Sequence, residues 1–338
     1  MKNILVTGGF GFLGSHLLEV LLSSPENHIH VVDNLSTNVV DPAEFSRSSG
    51  ERLTYDAVSV EEFFTKTARP KQFSEIYHLA SVVGPVGVLR HAGNIVRSVV
   101  RDTYLLIDYC LATKAKLLDV STSEVYGGGK EGFCSEDFDK IVPANTTIRL
   151  EYAVGKLAAE TALINTQRTR DLWTVIIRPF NISGKRQRPG GGFVLPRFVS
   201  QALKGEPLTV YGDGSQIRAF THAHDISTGI EAAMALGRPG EAYNLGNPNN
   251  RVTILELAQK VIKISGSSSQ IQFVDPVKLH GQLFAEAANK FPNSTKAQKE
   301  LNWRFDIGID EIVEEAVEEW KGILGSAKKP SSGKTHSR

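Results

Sequence analysis

The sequence predicts an α/β fold, a doubly wound parallel sheet with a smaller C-terminal lobe, and three observations lead there. An apolar run, NILV at 3–6, stops at TGGFGFLG and gives way to SHLLEVLLSS, in which Leu17, Leu18, Leu21 and Leu22 keep helical spacing. Strand-like and helix-like stretches then alternate through IHVVDN, EIYHLAS, KLLDVSTS and LWTVIIRPFN, the pattern of a parallel sheet with a helix after each strand. With 338 residues the chain exceeds the usual single core, so an appended lobe is expected.

The first turn carries the ligand signal. Gly9, Gly11 and Gly14 satisfy G-x-G-x-x-G, and Gly8, Gly11 and Gly14 give a second reading with the same purpose. Positions without a side chain let the backbone turn sharply and approach a pyrophosphate, which then sits at the positive end of the following helix. The next strand ends in Asp33, about 20 residues on, where a carboxylate binds both hydroxyls of an adenosine ribose. That acid repels a 2′-phosphate and no arginine adjoins it, so NAD is expected rather than NADP. The third strand, 75–81, ends near His78, read as a packed structural histidine. A helical stretch around 94–113 leads to the fourth strand, which closes in STSE at 121–124. In a doubly wound sheet, ligands gather at such carboxyl ends.

Tyr152 and Lys156 lie four apart in LEYAVGKLAAETALI, a helical pattern that places them on one face. A phenol is a poor base at neutral pH, and an ammonium beside it favours the phenolate. With a hydroxyl from Thr122 or Ser121 on the same substrate oxygen, the pair suits exchange between an alcohol and a ketone alongside hydride transfer to a nicotinamide. Beyond Asn181 the pattern loosens: RQRPGGGF reads as a loop, VLPRFVSQALKG as a helix, and THAHD at 221–225 as two histidines and an acid with no further ligands to complete a metal shell.

Composition bounds the alternatives. The chain is 41% hydrophobic and 22% charged, with 38 basic against 37 acidic side chains, the make-up of a soluble enzyme rather than a nucleic-acid binder or a membrane protein. Cys110, in an apolar segment, and Cys134, in a polar loop, give neither a disulfide framework nor zinc spacing, which fits the cytoplasm. The start, MKNILVTGGFG, breaks at glycine too early for a signal peptide. The small, polar and basic last residues read as a disordered tail from 326.

Taken together, TGGFGFLG, Asp33, HLAS, STSEVYG, YAVGK, RPFNISG and VYGDGSQIRAF resemble the extended short-chain dehydrogenases/reductases, specifically the nucleotide-sugar epimerases, dehydratases and decarboxylases, from the N-terminus to about Trp320. The resemblance implies a Rossmann-type NAD-binding domain at 1–180, rejoined by segments around 215–245. It places a nucleotide-sugar lobe mainly at 181–325. It implies a tightly held NAD touching Gly8, Gly11, Phe12, Leu13, Gly14, Asp33, Asn34, Asp56, Leu79, Ala80, Ser81, Tyr152 and Lys156, and catalysis by Thr122, Ser123, Glu124, Tyr152 and Lys156. Asn181, Val194, Arg197, Tyr211 and Arg218 would hold a nucleotide-sugar, a UDP-sugar first among them. The family also pairs the helices at 94–113 and 151–166 into a four-helix bundle, which implies a homodimer; neither nucleic acid, membrane nor metal is implied.

Within that family Glu124 discriminates. Simple 4-epimerases often carry a small or hydroxyl residue there. In 4,6-dehydratases a matching glutamate removes the C5 proton beside an aspartate, where this chain has Ser123. Thr-Ser-Glu followed by Val-Tyr-Gly resembles the UDP-glucuronate decarboxylases, so decarboxylation stands first, then 4-epimerisation, 4,6-dehydration and a non-catalytic NAD-binding module. One departure stands out: the arginine-glycine-acid motif many members carry before the last segment is missing from LHGQLFAEAANKFPNSTKAQKELNW, which leaves the grip on the diphosphate open.

Overall fold

The computed structural model describes residues 1–66, 72–127, 132–142, 147–281 and 289–327. Along the chain run β1 (Lys2–Thr7), α1 (Phe12–Leu22), β2 (Asn27–Val32), α2 (Pro42–Ser49), β3 (Leu53–Asp56), α3 (Val60–Lys66), β4 (Glu75–His78), α4 (Pro85–Arg90), α5 (Ile95–Thr113) and β5 (Lys116–Val120). A 3-10 turn at Ser123–Tyr126 follows, then β6 (Gly132–Cys134), α6 (Ile148–Arg170), β7 (Thr174–Pro179), β8 (Ile182–Ser183), α7 (Val194–Lys204), β9 (Leu208–Tyr211), β10 (Ile217–Ala219) and β11 (Thr221–His222). The remainder is α8 (Ala223–Leu236), β12 (Ala242–Leu245), β13 (Arg251–Thr253), α9 (Ile254–Ser265), β14 (Ile271–Val274), α10 (Pro276–His280), β15 (Lys290–Pro292), α11 (Thr295–Glu300) and α12 (Ile309–Ala327).

Seven strands form one sheet in the order β3-β2-β1-β4-β5-β7-β12, every pair parallel. The predicted α/β class is thereby confirmed. Its inner strands are buried on both faces, as is usual for parallel strands, while the edge strand β3 exposes Thr54 and Asp56; alternate side chains feed two cores. Ile4, Val6, Leu118, Val175 and Ile177 pack with residues of α1 and α8, whereas Leu5, Leu117 and Ile176 pack with residues of α3, α5 and α6. The order reverses between β1 and β4, so a crevice opens at their carboxyl ends, where Thr7 and His78 are register partners.

A separate core of Leu195, Phe198, Leu208, Val210, Leu257, Val261, Ile312 and Val317 joins α7, β9, α9 and α12 into the second lobe. Three sequence expectations shift. The fourth strand stops at Val120, because the Thr122 side chain accepts the Glu124 N–H and starts the 3-10 turn in place of a ladder bond. Cys134 lies not in a polar loop but in β6, buried beside Val125, Tyr126 and Phe180. At the other end α12 runs to Ala327, into the stretch expected to be tail; 328–338 lie outside the described residues.

Candidate active site

The cofactor side is built by the backbone around β1. Gly8 has φ +71°, and a Cβ there would meet the Ala80 nitrogen at 2.8 Å, so the first turn must press glycine against the end of β4. Gly11 is the N-cap of α1, and no side chain among the described residues caps it. The first N–H groups of a helix lack intrahelical partners, so those at Phe12, Leu13 and Gly14 begin the helix with their dipole directed outward. Asp33 is buried and receives the N–H of Phe10 at 3.0 Å and of Leu35 at 2.9 Å, one on each oxygen. A carboxylate oxygen accepts more than one bond, so capacity for a ribose diol remains. Ser81 Oγ is buried with no hydrogen-bond partner among the described residues, and Leu79 and Ala80 hold their N–H groups on Thr7. An uncapped helix start, a buried acid and an orphaned hydroxyl at one strand-end crevice fit a dinucleotide.

Two expected contacts sit further out. Asn34 is exposed with its oxygen turned to Ser36, and Asp56, beside Asp33 at the end of β3, holds His30 at 3.0 Å. His78 is buried on the Thr7 hydroxyl at 2.7 Å, and burial, aided by Lys156, pushes its imidazole down to about 3; it is neutral.

On the opposite wall, Thr122 and Tyr152 are hydrogen-bonded through their side chains. Ser121, the other candidate hydroxyl, instead donates to Glu160 at 2.5 Å, which leaves Thr122 as the partner. Lys156 is buried, donates to the Val120 carbonyl at 2.7 Å and lies 3.9 Å from Asp119. Lys156 is expected to favour the phenolate, and the groups packed around the phenol act the other way. Burial pushes the Tyr152 hydroxyl above its ordinary value, the Thr122 hydrogen bond works against this, and the Glu124 and Asp119 carboxylates add to it. Tyr152 is therefore held as a protonated phenol, because two nearby anions and desolvation oppose its ionisation.

Glu124 occupies a setting that sequence alone did not reveal. Arg149 lies 3.0 Å and Lys290 3.1 Å from its Oε1, and the Lys290 ammonium also donates to the Ser123 carbonyl. Burial would raise the Glu124 carboxyl, but Arg149 and then Lys290 outweigh it and hold it down at about 2. Arg149 stands on the Tyr152 and Lys156 face of α6, three residues before Tyr152. Lys290 comes from β15, 167 residues beyond Ser123, and is itself pushed below its usual range, chiefly by burial. The Arg149 spacing was available in the sequence; nothing local announced Lys290.

The expected substrate residues line the second lobe. Asn181, at φ +34°, donates to the Ala219 carbonyl at 3.3 Å, next to Arg218 in β10, whose guanidinium also reaches the Ile217 carbonyl. Arg197 lies 4.0 Å over the ring of Tyr211, one helical turn after Val194 opens α7. Within THAHD the polar groups diverge: His222 caps α8 and meets Glu315, while Asp225 receives the Ile307 N–H. The stretch missing the arginine-glycine-acid motif falls partly at 282–288, outside the described residues.

A family model, "NAD dependent epimerase/dehydratase family", matches residues 4–246. UDP-N-acetyl-alpha-D-glucosaminuronate decarboxylase of Bacillus cytotoxicus is 31% identical over 323 residues, 95% of this chain and 98% of that protein. UDP-glucuronic acid decarboxylase 1 of Danio rerio is 32% identical over 320 residues, 94% of this chain and 72% of that one. Among solved structures, UDP-glucuronic acid 4-epimerase from Bacillus cereus in complex with UDP-glucuronic acid and NAD superposes with a TM-score of 0.79 at 27% identity, covering 95% of this chain and 100% of that chain.

Proposed function

Because this chain belongs to the NAD-dependent epimerase/dehydratase family, we propose that it is an NAD-using decarboxylase of a UDP-hexuronic acid, UDP-glucuronate foremost, acting through transient oxidation at C4 of the sugar. The observation that carries this reading is the Arg149–Glu124–Lys290 cluster. Two cations and one carboxylate leave a net charge of +1 beside Tyr152, an environment that favours a sugar bearing its own carboxylate. Side-chain exposure of 29% for Arg149 and 24% for Glu124 keeps both within reach of a ligand. The relatives named for decarboxylation of UDP-hexuronic acids support the same choice.

The α1 N-terminus, Asp33 and the 79–81 segment would hold NAD, which when bound would supply the hydride acceptor for C4 and the hydride that restores the alcohol. Tyr152 and Thr122 share the C4 oxygen. Once it has given up its own proton to solvent, Tyr152 takes the C4 hydroxyl proton as the alcohol becomes a ketone. The β-keto acid then loses carbon dioxide because the C4 carbonyl accepts the electrons of the breaking C5 bond, and C5 takes a proton from solvent before the ketone is reduced and Tyr152 returns its proton. The Tyr152 and Thr122 hydroxyls stabilise the oxygen as charge gathers there. Glu124 suits this better than dehydration. A carboxyl held at about 2 is a weak base for a C5 proton, whereas loss of carbon dioxide needs no base there. Residues 1–180 with 215–245 are assigned to NAD and 181–325 mainly to the nucleotide-sugar, with Asn181 and Arg218 at the diphosphate and Val194, Arg197 and Tyr211 toward the nucleoside.

Incubation of the purified protein with UDP-glucuronate, reading product mass and released carbon dioxide, tests the reading. The expected product is a UDP-pentose. An isomer of unchanged mass would replace decarboxylation with 4-epimerisation of the same substrate, and turnover of UDP-glucose alone would remove the hexuronate assignment. A cytoplasmic homodimer completes the proposal. Tyr104 on α5 is 52% exposed and shares a surface groove with Val154, Leu157, Ala158 and Thr161 of α6, a surface that a second copy would cover. Ala158→Glu is expected to convert a dimer to a monomer in sedimentation velocity; a wild type that sediments as a monomer would end this part of the proposal.

A further inference from the structure

Beneath the site lies a buried polar network the chemistry above does not use. Glu160 follows Lys156 by one turn of α6 on the face that carries Tyr152. Its carboxylate receives Arg178 from β7 through two bonds, Nε at 3.0 Å and Nη2 at 2.6 Å. The same carboxylate accepts the Ser121 hydroxyl. Arg178 Nη1 in turn donates to the Tyr126 hydroxyl at 2.9 Å, which donates to Asn244 of β12 at 2.7 Å. All five side chains are buried. Ser121 and Tyr126 flank the turn that carries Thr122, Ser123 and Glu124, so both ends of that turn are tied to one ion pair.

We infer that the Glu160–Arg178 pair is a positioning device for the reaction, fixing the turn that bears Thr122 against the helix that bears Tyr152 and Lys156. A buried ion pair is a poor source of net stability, since apolar residues of similar volume often do as well; what it adds is a fixed geometry between the elements it joins. Here the elements are the two halves of the reacting site: Thr122 follows Ser121 directly, and Tyr152 lies two turns before Glu160. Burial pushes the Tyr126 phenol up to about 12, so its proton stays in place to bond Asn244 at any working pH. Misplacing a reacting group by about an ångström costs on the order of a hundredfold in rate.

The inference rests on Thr122 and Tyr152 being the reacting pair, so Tyr152→Phe runs beside the test. Ser121→Ala and Tyr126→Phe each remove one tether and leave the ion pair whole, so no charge is stranded. With the UDP-sugar that the wild type converts fastest, each single variant is expected to lose about tenfold in kcat and the double variant about a hundredfold, with KM within about twofold. Bound NAD per chain is expected to be unchanged, and the isotope effect with sugar deuterated at C4 to rise as hydride transfer becomes limiting. A double variant with wild-type kcat per bound NAD, or one whose loss follows only melting temperature and NAD content, overturns the positioning role while the site assignment stands. An active Tyr152→Phe overturns both.

Discussion

Tyr152→Phe is expected to lower kcat by about a thousandfold while leaving UDP-sugar affinity within about threefold, the size general acid–base groups command when one oxygen is removed. The substitution deletes the single atom of the helix face that shares a hydrogen bond with Thr122. Thr122 keeps its bond from the Glu124 N–H at 3.2 Å, and Lys156 keeps the Val120 carbonyl and Asp119. The loss of stability is therefore about 1 kcal/mol, the net worth of one hydrogen bond. Asn181 between β7 and β8, Arg197 in the first turn of α7 and Arg218 in β10 bond to the Ala219, Thr209 and Ile217 carbonyls rather than to Tyr152, and are expected to be unaffected. Single-turnover measurement of NAD reduction, with UDP-sugar binding by calorimetry, separates the two effects. Rapid NAD reduction in the variant would remove Tyr152 from the chemistry; equal losses in binding and turnover would make it a binding residue.

What the sequence discloses and what it hides follow from the distance between partners. The glycine turn, Asp33 and the strand-helix alternation are local patterns, and each is realised where its residues predict, down to a parallel sheet with its crevice between β1 and β4. Tyr152 and Lys156 share a helical face by spacing alone. The charge state of the site is another matter. Lys290 reaches Glu124 across more than 160 residues on a three-residue strand, and Arg178 reaches Glu160 from a neighbouring strand. No periodicity encodes such meetings, because they arise only when β6 and β15 pair and when α6 packs on the sheet. The proton on Tyr152 is likewise a property of assembly: desolvation and two carboxylates decide it, and the i, i+4 lysine does not.

Two glycines three residues apart are expected to fail in opposite ways when replaced by alanine. Gly14 lies in the first turn of α1, where a Cβ would meet the Gly8 carbonyl oxygen at 2.1 Å and the Gly9 backbone at 2.7 and 2.8 Å. Backbone on every side cannot yield, so Gly14→Ala must break the turn that joins β1 to α1, at a cost on the order of 4 kcal/mol or more, among the largest that single substitutions produce. Gly11 differs. Its φ of −72° is open to any residue, and a Cβ would meet only the Gly8 oxygen at 3.4 Å, ordinary contact. Alanine in place of glycine at an N-cap costs about 1 kcal/mol or less, so Gly11→Ala is expected to fold and to melt within about 5 °C of the wild type. The protein itself has little use for the missing side chain at Gly11; the space serves a group that approaches the helix start from outside, as a pyrophosphate does. The variant is accordingly expected to be purified with at least tenfold less NAD, a loss worth about 1.4 kcal/mol of binding. Denaturing the two proteins and assaying the released dinucleotide decides the matter. Full NAD content in Gly11→Ala would mean that the cofactor does not cross the N-terminus of α1, and a well-folded Gly14→Ala would mean that the turn is less tightly closed than its contacts require.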